Sequence, residues 1–278
     1  MPKRLSVEAV EQYRNEGYHF PVPVLNAREV AHYRGRLEAY EAKSGAPLGG
    51  AERNKAHLVF QWVDELMRHD GILDLAEDLI GPDILCWNTL FWIKEAHSPS
   101  FVSWHQDIRY WGLDTSELLT VWVALSPASE SSGCMRVLPG SHNKDVLPHR
   151  DEYHEDNLLT RGQSIAIDVD EAEAVSMALA PGEASLHNVQ LAHASGPNTT
   201  DERRIGLAIN YIPTSARQTV GEWDCAALVR GTDRYGHFEP TPQPLHDFDE
   251  AAVAFHKRAT DNLREILFKD AERVRATL

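Results

Sequence analysis

Between Ile84 and Tyr211 the chain is cut into short apolar runs: "ILCWNTLFWI", "LLTVWVALS", "MRVLPG", "AVSMALAPGEASL" and "RRIGLAINYI". Gly, Pro, Ser and Asn separate them. Runs of this length, bounded by turn formers, read as strands at short spacing and predict an all-β barrel or sandwich. Helical signals lie on either side. Ser6 caps a helix that Gly17 ends, and Asn26 with Glu29 forms a capping-box pattern opening a helix to about Lys43. Asp70 starts a third helix, stopped by Gly81-Pro82. Tyr18 to Val24 holds Pro21 and Pro23, which restrict it to an edge strand. From about Asp249 to Leu278 the pattern is that of an amphipathic helix. The expected organisation is one domain over 1–278: a helical part (about 1–82), a β core (about 83–213) and a C-terminal loop and helix (about 214–278). A polar, His-rich insertion at about 142–165 interrupts the β pattern and reads as a lid or a solvated loop.

The formal charge of −15 argues against nucleic acid, whose phosphates need clustered Lys and Arg, and against an anionic membrane surface. It does not argue against a small anionic ligand, because one local arginine can outweigh a distant field. No apolar run reaches the ~18–20 residues of a membrane span. The first residues lack the apolar stretch of a signal peptide. Cys86, Cys134 and Cys225 are far apart and odd in number, which disfavours both a disulfide framework and a thiolate zinc site. The expectation is a reduced, cytoplasmic protein acting on a small molecule. The oligomeric state stays open, with a homodimer through the C-terminal helix as one option.

In "SWHQDIRYWGLD" (103–114), His105 and Asp107 stand two apart. On a strand they share a face and can reach one ion. Alone, the pair is equally a satisfied polar pair near a strand end. A third ligand must come from elsewhere, and residues 179–212 offer His187 and His193. Two imidazoles and a carboxylate on one side of a metal leave positions free for a cosubstrate and O2, an arrangement suited to non-haem Fe(II). Arg203 and Arg204 follow at the start of an apolar run, and a guanidinium fork suits a dicarboxylate.

"WHQD", "VWVALSPASESSGCMRVLPGSH" and "HASGPNTTDERRIGLAI" together resemble the phytanoyl-CoA dioxygenase family of Fe(II)/2-oxoglutarate oxygenases, over roughly Gly17 to Ile212. The resemblance implies a mainly β fold: a double-stranded β-helix (jelly roll) core with flanking helices. It implies Fe(II), 2-oxoglutarate and O2 as metal and cosubstrates, with His105, Asp107 and His193 as metal ligands. Arg204, eleven residues past His193, would hold the distal carboxylate of 2-oxoglutarate. Trp122 would line the cosubstrate pocket, with Asn88 and Ser195 as further contacts. Halogenating relatives carry a small residue in place of the metal carboxylate. Asp107 therefore implies hydroxylation, or another oxidation, and not halogenation.

Around this set, His187 shares strand parity with His193 and is expected in the pocket or the barrel wall. Strand alternation would place Arg109 on the metal face, where it could meet an anionic group; a bulge would turn it to solvent. Tyr110 and Trp111 belong to an aromatic group that could contact substrate or pack the core. The substrate expected is a small zwitterion such as an aminoalkylphosphonate or its N-methylated form. A natural-product intermediate or an acyl-CoA is the alternative. A zinc hydrolase could use the same ligands, but the arginine beyond His193 would then have no task. A non-catalytic metal-binding β-sandwich is the third option.

Overall fold

The computed structural model describes residues 2–274. Helix α1 (Val7–Glu16) begins at Ser6, whose hydroxyl accepts from the Ala9 N–H at 3.1 Å. It ends at Gly17, whose φ of +85° is in the left-handed region that favours glycine. Strand β1 (Tyr18–Pro23) follows, then α2 (Ala27–Ser44), opened by the expected Asn26–Glu29 capping box. Helices α3 (Gln61–Met67) and α4 (Asp70–Ile80) complete the helical part. Helix α3 is an addition to the sequence reading, since seven residues carry too little periodicity to be recognised alone.

The core comprises β2 (Ile84–Lys94), β3 (Val102–His105), the short helix α5 (Ile108–Trp111), β4 (Leu119–Ala124), β5 (Met135–Val137), β6 (His149–Asp151), β7 (Gln163–Ile165), β8 (Val175–Met177), β9 (Glu183–Asn188), β10 (His193–Ser195) and β11 (Arg204–Pro213). Then come β12 (Cys225–Arg230), β13 (Glu239–Pro240) and α6 (Glu250–Leu267). One sheet has the order β1-β9-β4-β11-β2-β12-β13, a second β3-β10-β5-β8, and β6-β7 form a separate ribbon. Apart from the parallel β12–β13 pair, the ladders are antiparallel. With helices packed along the sheets, this is a mixed α/β structure, more helical than the mainly β class expected.

Alternation along the large sheet separates two environments. Val121, Val123, Leu186, Ile205, Leu207 and Ile209 face one way, into a core closed by Leu37, Trp62, Leu66, Ile72 and Leu75 of the helices. Thr120, Trp122, His187, Arg204, Ala208 and Asn210 face the other way, into a cavity whose opposite wall is the second sheet. The register of β11 on β2 slips between Asn210 and Tyr211, leaving Trp87 without a partner. Such a bulge reorients the strand, and adjacent Trp87 and Asn88 both reach the cavity.

Helix α6 packs on its own barrel through Ala252, His256, Ala259, Thr260, Leu263 and Ile266. His256 Nε2 lies 2.9 Å from the Asn54 carbonyl. The helix ends at Leu267, short of the expected Leu278; residues 275–278 lie outside the described residues.

Candidate active site

Strand β3 stops at His105. Asp107 has helical backbone angles (φ −62°, ψ −39°) and opens α5. The two side chains thus meet by a turn from strand into helix, and not by the strand alternation expected. Asp107 Oδ1 lies 3.3 Å from His105 Nε2. His193 sits opposite His105 in the β10–β3 ladder, with ring centroids 4.1 Å apart. One ligand atom from each of His105, Asp107 and His193 lies within 4.8 Å of the others.

The hydrogen bonds fix what these atoms offer. His105 Nδ1 is 2.9 Å from the Ser103 carbonyl, and His193 Nδ1 is 2.9 Å from the Leu191 carbonyl. A carbonyl only accepts, so each Nδ1 carries the hydrogen, and in the neutral ring Nε2 presents a lone pair. Two imidazole lone pairs and a carboxylate oxygen then converge. Only a proton or a metal cation satisfies such a set, and the backbone carbonyls orient the rings as they do around bound metals. Burial pushes His193 down to about 3, so its ring stays neutral and able to ligate at neutral pH. Burial alone would raise the Asp107 carboxyl. The hydrogen bond to His105 and the nearby imidazoles of His193, His105 and His187 outweigh it, and the group titrates below its ordinary value.

Arg204 enters the same cavity from the start of β11 and is only 3% exposed. One Nη donates to the Gly133 carbonyl at 2.9 Å, and the guanidinium lies 5.3 Å from the centre of the Trp122 ring. Its Nε is buried without a hydrogen-bond partner. Burial lowers its pKa to about 10, still charged at neutral pH. The Trp122 ring can pack against β11 because residue 206 is glycine: a β-carbon built there would be 1.8 Å from the ring. Arg203 points to the other side of the sheet and pairs with Glu41 at 2.6 Å and Glu95 at 2.7 Å. The structure thus separates the two adjacent arginines.

The remaining expected residues divide. Asn88, Ser195, His187 and Trp111 line the cavity. Asn88 Oδ1 accepts from the Lys55 N–H at 2.8 Å, and Ser195 Oγ accepts from Lys94 Nζ at 2.7 Å. The buried Lys94 also donates to the Gly196 carbonyl, and burial together with Arg204 lowers it to about 7. His187 stands with its ring centre 5.0 Å from that of His193, outside the three-residue cluster, and its Nδ1 is buried without a partner. Two of the candidate substrate residues do not reach the cavity, and for both the alternative reading holds. Arg109 lies on the outer side of α5, exposed and away from the cavity, because the helical turn breaks the alternation that placed it inside. Tyr110 is buried behind the cavity wall, against His149 and beneath Arg161, and does not line the cavity.

Several lining residues escaped sequence reading. Leu158, Leu159 and Thr160 come from the His-rich insertion, Leu263 and Leu267 from α6, and Arg53 and Asn54 from the chain before α3. The insertion is tied down: Leu158 N–H donates to the Phe101 carbonyl at 2.9 Å, and Asn157 Nδ2 donates to Ser103 Oγ at 2.8 Å. His149 Nδ1 donates to the Leu147 carbonyl at 2.7 Å, while its Nε2 accepts from the Gln106 N–H at 3.1 Å. The insertion is therefore a wall of the cavity. The apolar periodicity of α6 could have signalled a buried face, but not that the face looks onto the metal site.

Comparison with known proteins agrees with this geometry. The family model for phytanoyl-CoA dioxygenase (PhyH) matches residues 13–206. A probable alpha-ketoglutarate-dependent hypophosphite dioxygenase from Stutzerimonas stutzeri is 32% identical over 186 residues, 66% of this chain and 64% of that protein. The chain therefore spans less than two thirds of that relative. Among solved structures, the apo non-heme monooxygenase ThoJ superposes with a TM-score of 0.83 at 39% identity, covering 93% of this chain and 97% of that one. The non-heme alpha ketoglutarate dependent carbocyclase SnoK from nogalamycin biosynthesis superposes at 0.65 with 26% identity, covering 80% and 89%. With residues 13–206 matched and a His-Asp-His cluster beside a buried arginine, the chain belongs to the phytanoyl-CoA dioxygenase family of Fe(II)/2-oxoglutarate-dependent oxygenases.

Proposed function

We propose that the protein hydroxylates an unactivated C–H bond of a small organic metabolite with an apolar body, of the kind found among natural-product intermediates. The observation that carries this reading is the composition of one cavity, partly open to solvent. The three-ligand cluster and Arg204 stand on its strand walls. Leu90, Val102, Leu158, Leu159, Leu263 and Leu267 supply apolar surface around them.

In this reading His105, Asp107 and His193 hold Fe(II) through two imidazoles and one carboxylate. Iron with bound 2-oxoglutarate and O2 supplies the oxidising chemistry. The residues of the chain do the positioning. Arg204 grips the distal carboxylate of 2-oxoglutarate with its free guanidinium edge, and the Trp122 ring beside it helps to hold the fork in place. Ser195 and Asn88 are further cosubstrate contacts. Asp107 fills the position that halogenating relatives leave small, which argues for an oxidation such as hydroxylation and against halogenation. The leucines of the insertion and α6 exclude water and set which C–H bond faces the metal.

An aminoalkylphosphonate loses its main support, because Arg109 faces solvent. A CoA thioester finds no cluster of Lys and Arg at the cavity among its lining residues. A zinc hydrolase leaves Arg204 without a task.

Anaerobic addition of Fe(II) and 2-oxoglutarate tests the reading. It predicts a weak visible charge-transfer band and, on exposure to air, succinate formation stimulated by the right member of a panel of apolar metabolites. Metal binding with no band and no succinate would overturn it.

A further inference from the structure

Beyond the metal ligands and Arg204, the cavity contains a second guanidinium. Arg53 lines it from the turn between α2 and α3. The chain is held there by the Asn54–Leu90 bridge to β2 and by His256 of α6 on the Asn54 carbonyl. The guanidinium lies 5.3 Å from the centre of the Trp92 ring, also part of the lining. Among the described residues, no carboxylate comes within ion-pair distance of it. Its neighbour Glu52 instead accepts from the Tyr40 hydroxyl at 2.5 Å. The Nε of Arg53 is buried without a hydrogen-bond partner.

The charges in the cavity make this arginine informative. The charged side chains lining it are Arg53, Arg204 and Asp107. A divalent ion and Arg204 are balanced by Asp107 and the 2-oxoglutarate dianion. The charge of Arg53 then has no counterpart. Arg53 as a whole is half-buried, but its Nε is shut off from solvent without an acceptor, and leaving such a charged donor unpaired is costly. Burial lowers the Arg53 pKa to about 10 with no acidic group raising it. A bound ligand carrying one negative charge would supply both the counter-charge and an acceptor for Nε.

We propose that Arg53, steadied on Trp92, anchors an anionic group of the organic substrate, a carboxylate or a comparable oxyanion, and so selects apolar monoanions. The inference rests on the functional reading above and deepens it. Arg53 and Arg204 then divide the work: one guanidinium takes the substrate, the other the cosubstrate. The apolar wall between the insertion and α6 accommodates the rest of the substrate.

The test uses octanoate, 1-octanol and octylammonium as probes of one body with three charges. Each is titrated into the protein loaded anaerobically with Fe(II) and 2-oxoglutarate, and binding is followed by ligand-observed NMR. Octanoate is expected to bind at least tenfold more tightly than the other two. Arg53→Gln should remove that preference, a loss of about tenfold to a hundredfold for a charge-assisted hydrogen bond. Arg53→Lys should keep part of it, and 2-oxoglutarate affinity should stay unchanged in both. Thermal melts establish that both variants are folded, and Arg53→Lys decides alone if Arg53→Gln is not. A wild type without preference for octanoate, including one that binds none of the probes, overturns the proposal. So does a preference that survives Arg53→Gln, or one abolished by Arg204→Gln alone, which would place the anion in the cosubstrate site. Failure of the charge-transfer band would instead sink the functional reading, while the octanoate preference still decides Arg53.

Discussion

The two sides of the cavity are built differently. The metal and cosubstrate side stands on ladders: His193 is held between β3 and β5, and Arg204 opens a ten-residue strand paired on both sides further along. The facing side comes from segments outside the two main sheets, namely the insertion, α6 and the turn carrying Arg53. A paired strand fixes a side chain through backbone hydrogen bonds that do not depend on that side chain. An appended segment also leans on individual side-chain contacts, such as Asn157 on Ser103 or His256 on Asn54. Chemistry that needs fixed geometry thus sits on the ladders, and substrate choice sits where sequence can change without unpairing a sheet.

The largest expected effect breaks the ladder side. Asp107→Ala should abolish the charge-transfer band and lower succinate formation by about a thousandfold or more, because it removes a ligand and the one carboxylate among the described residues lining the cavity. Iron and 2-oxoglutarate titrations of the variant check this. Next, Arg204→Ala should weaken 2-oxoglutarate by about tenfold to a hundredfold while leaving iron affinity within a few fold. Gly206→Val tests the same site indirectly. The new side chain must displace the Trp122 ring, so 2-oxoglutarate should weaken although Arg204 remains. Unchanged affinity would show that the ring platform is dispensable.

Smaller effects probe the appended side. Leu267→Ala should raise the KM for an organic substrate several fold and leave 2-oxoglutarate affinity alone. Equal loss of both would mean that the two sides are not separable. The smallest effect is a pH dependence at the insertion. His149 lies at about 4, lowered chiefly by burial, against an ordinary value near 6.5. Its folded-state pKa is thus depressed for a base. The folded state takes up this proton less readily than the unfolded chain, so its stability falls as pH drops from about 6.5 toward 4. Protonation also removes the Nε2 acceptor used by the Gln106 N–H. Amide exchange in residues 149–165 should accelerate over that window, and His149→Gln should flatten the response.

Much of the ladder side was legible in the sequence. "WHQD", "HASGP" and the arginine pair named the cluster because together they resemble one family's motifs, and the spacing of that resemblance chose Arg204, which the start of β11 turns inward. The same local reading allowed Arg109 on the metal face. It assumed that strand alternation continued past His105, whereas the chain turns into α5 at Asp107. The appended side was not legible. Nothing in "GGAERNKAHL" shows that Arg53 will reach a cavity built mainly from residues 87–210.

The sequence by itself determined the strand and helix periods, the caps at Ser6 and Asn26, and the His105–Asp107 pair, since each depends on residues near one another in the chain; His193 followed only from the resemblance to a family. Only the tertiary structure decided which guanidinium, leucines and tryptophans share the cavity. Their meeting is set by sheet register and by the packing of distant segments, and neither leaves a periodic trace in the sequence.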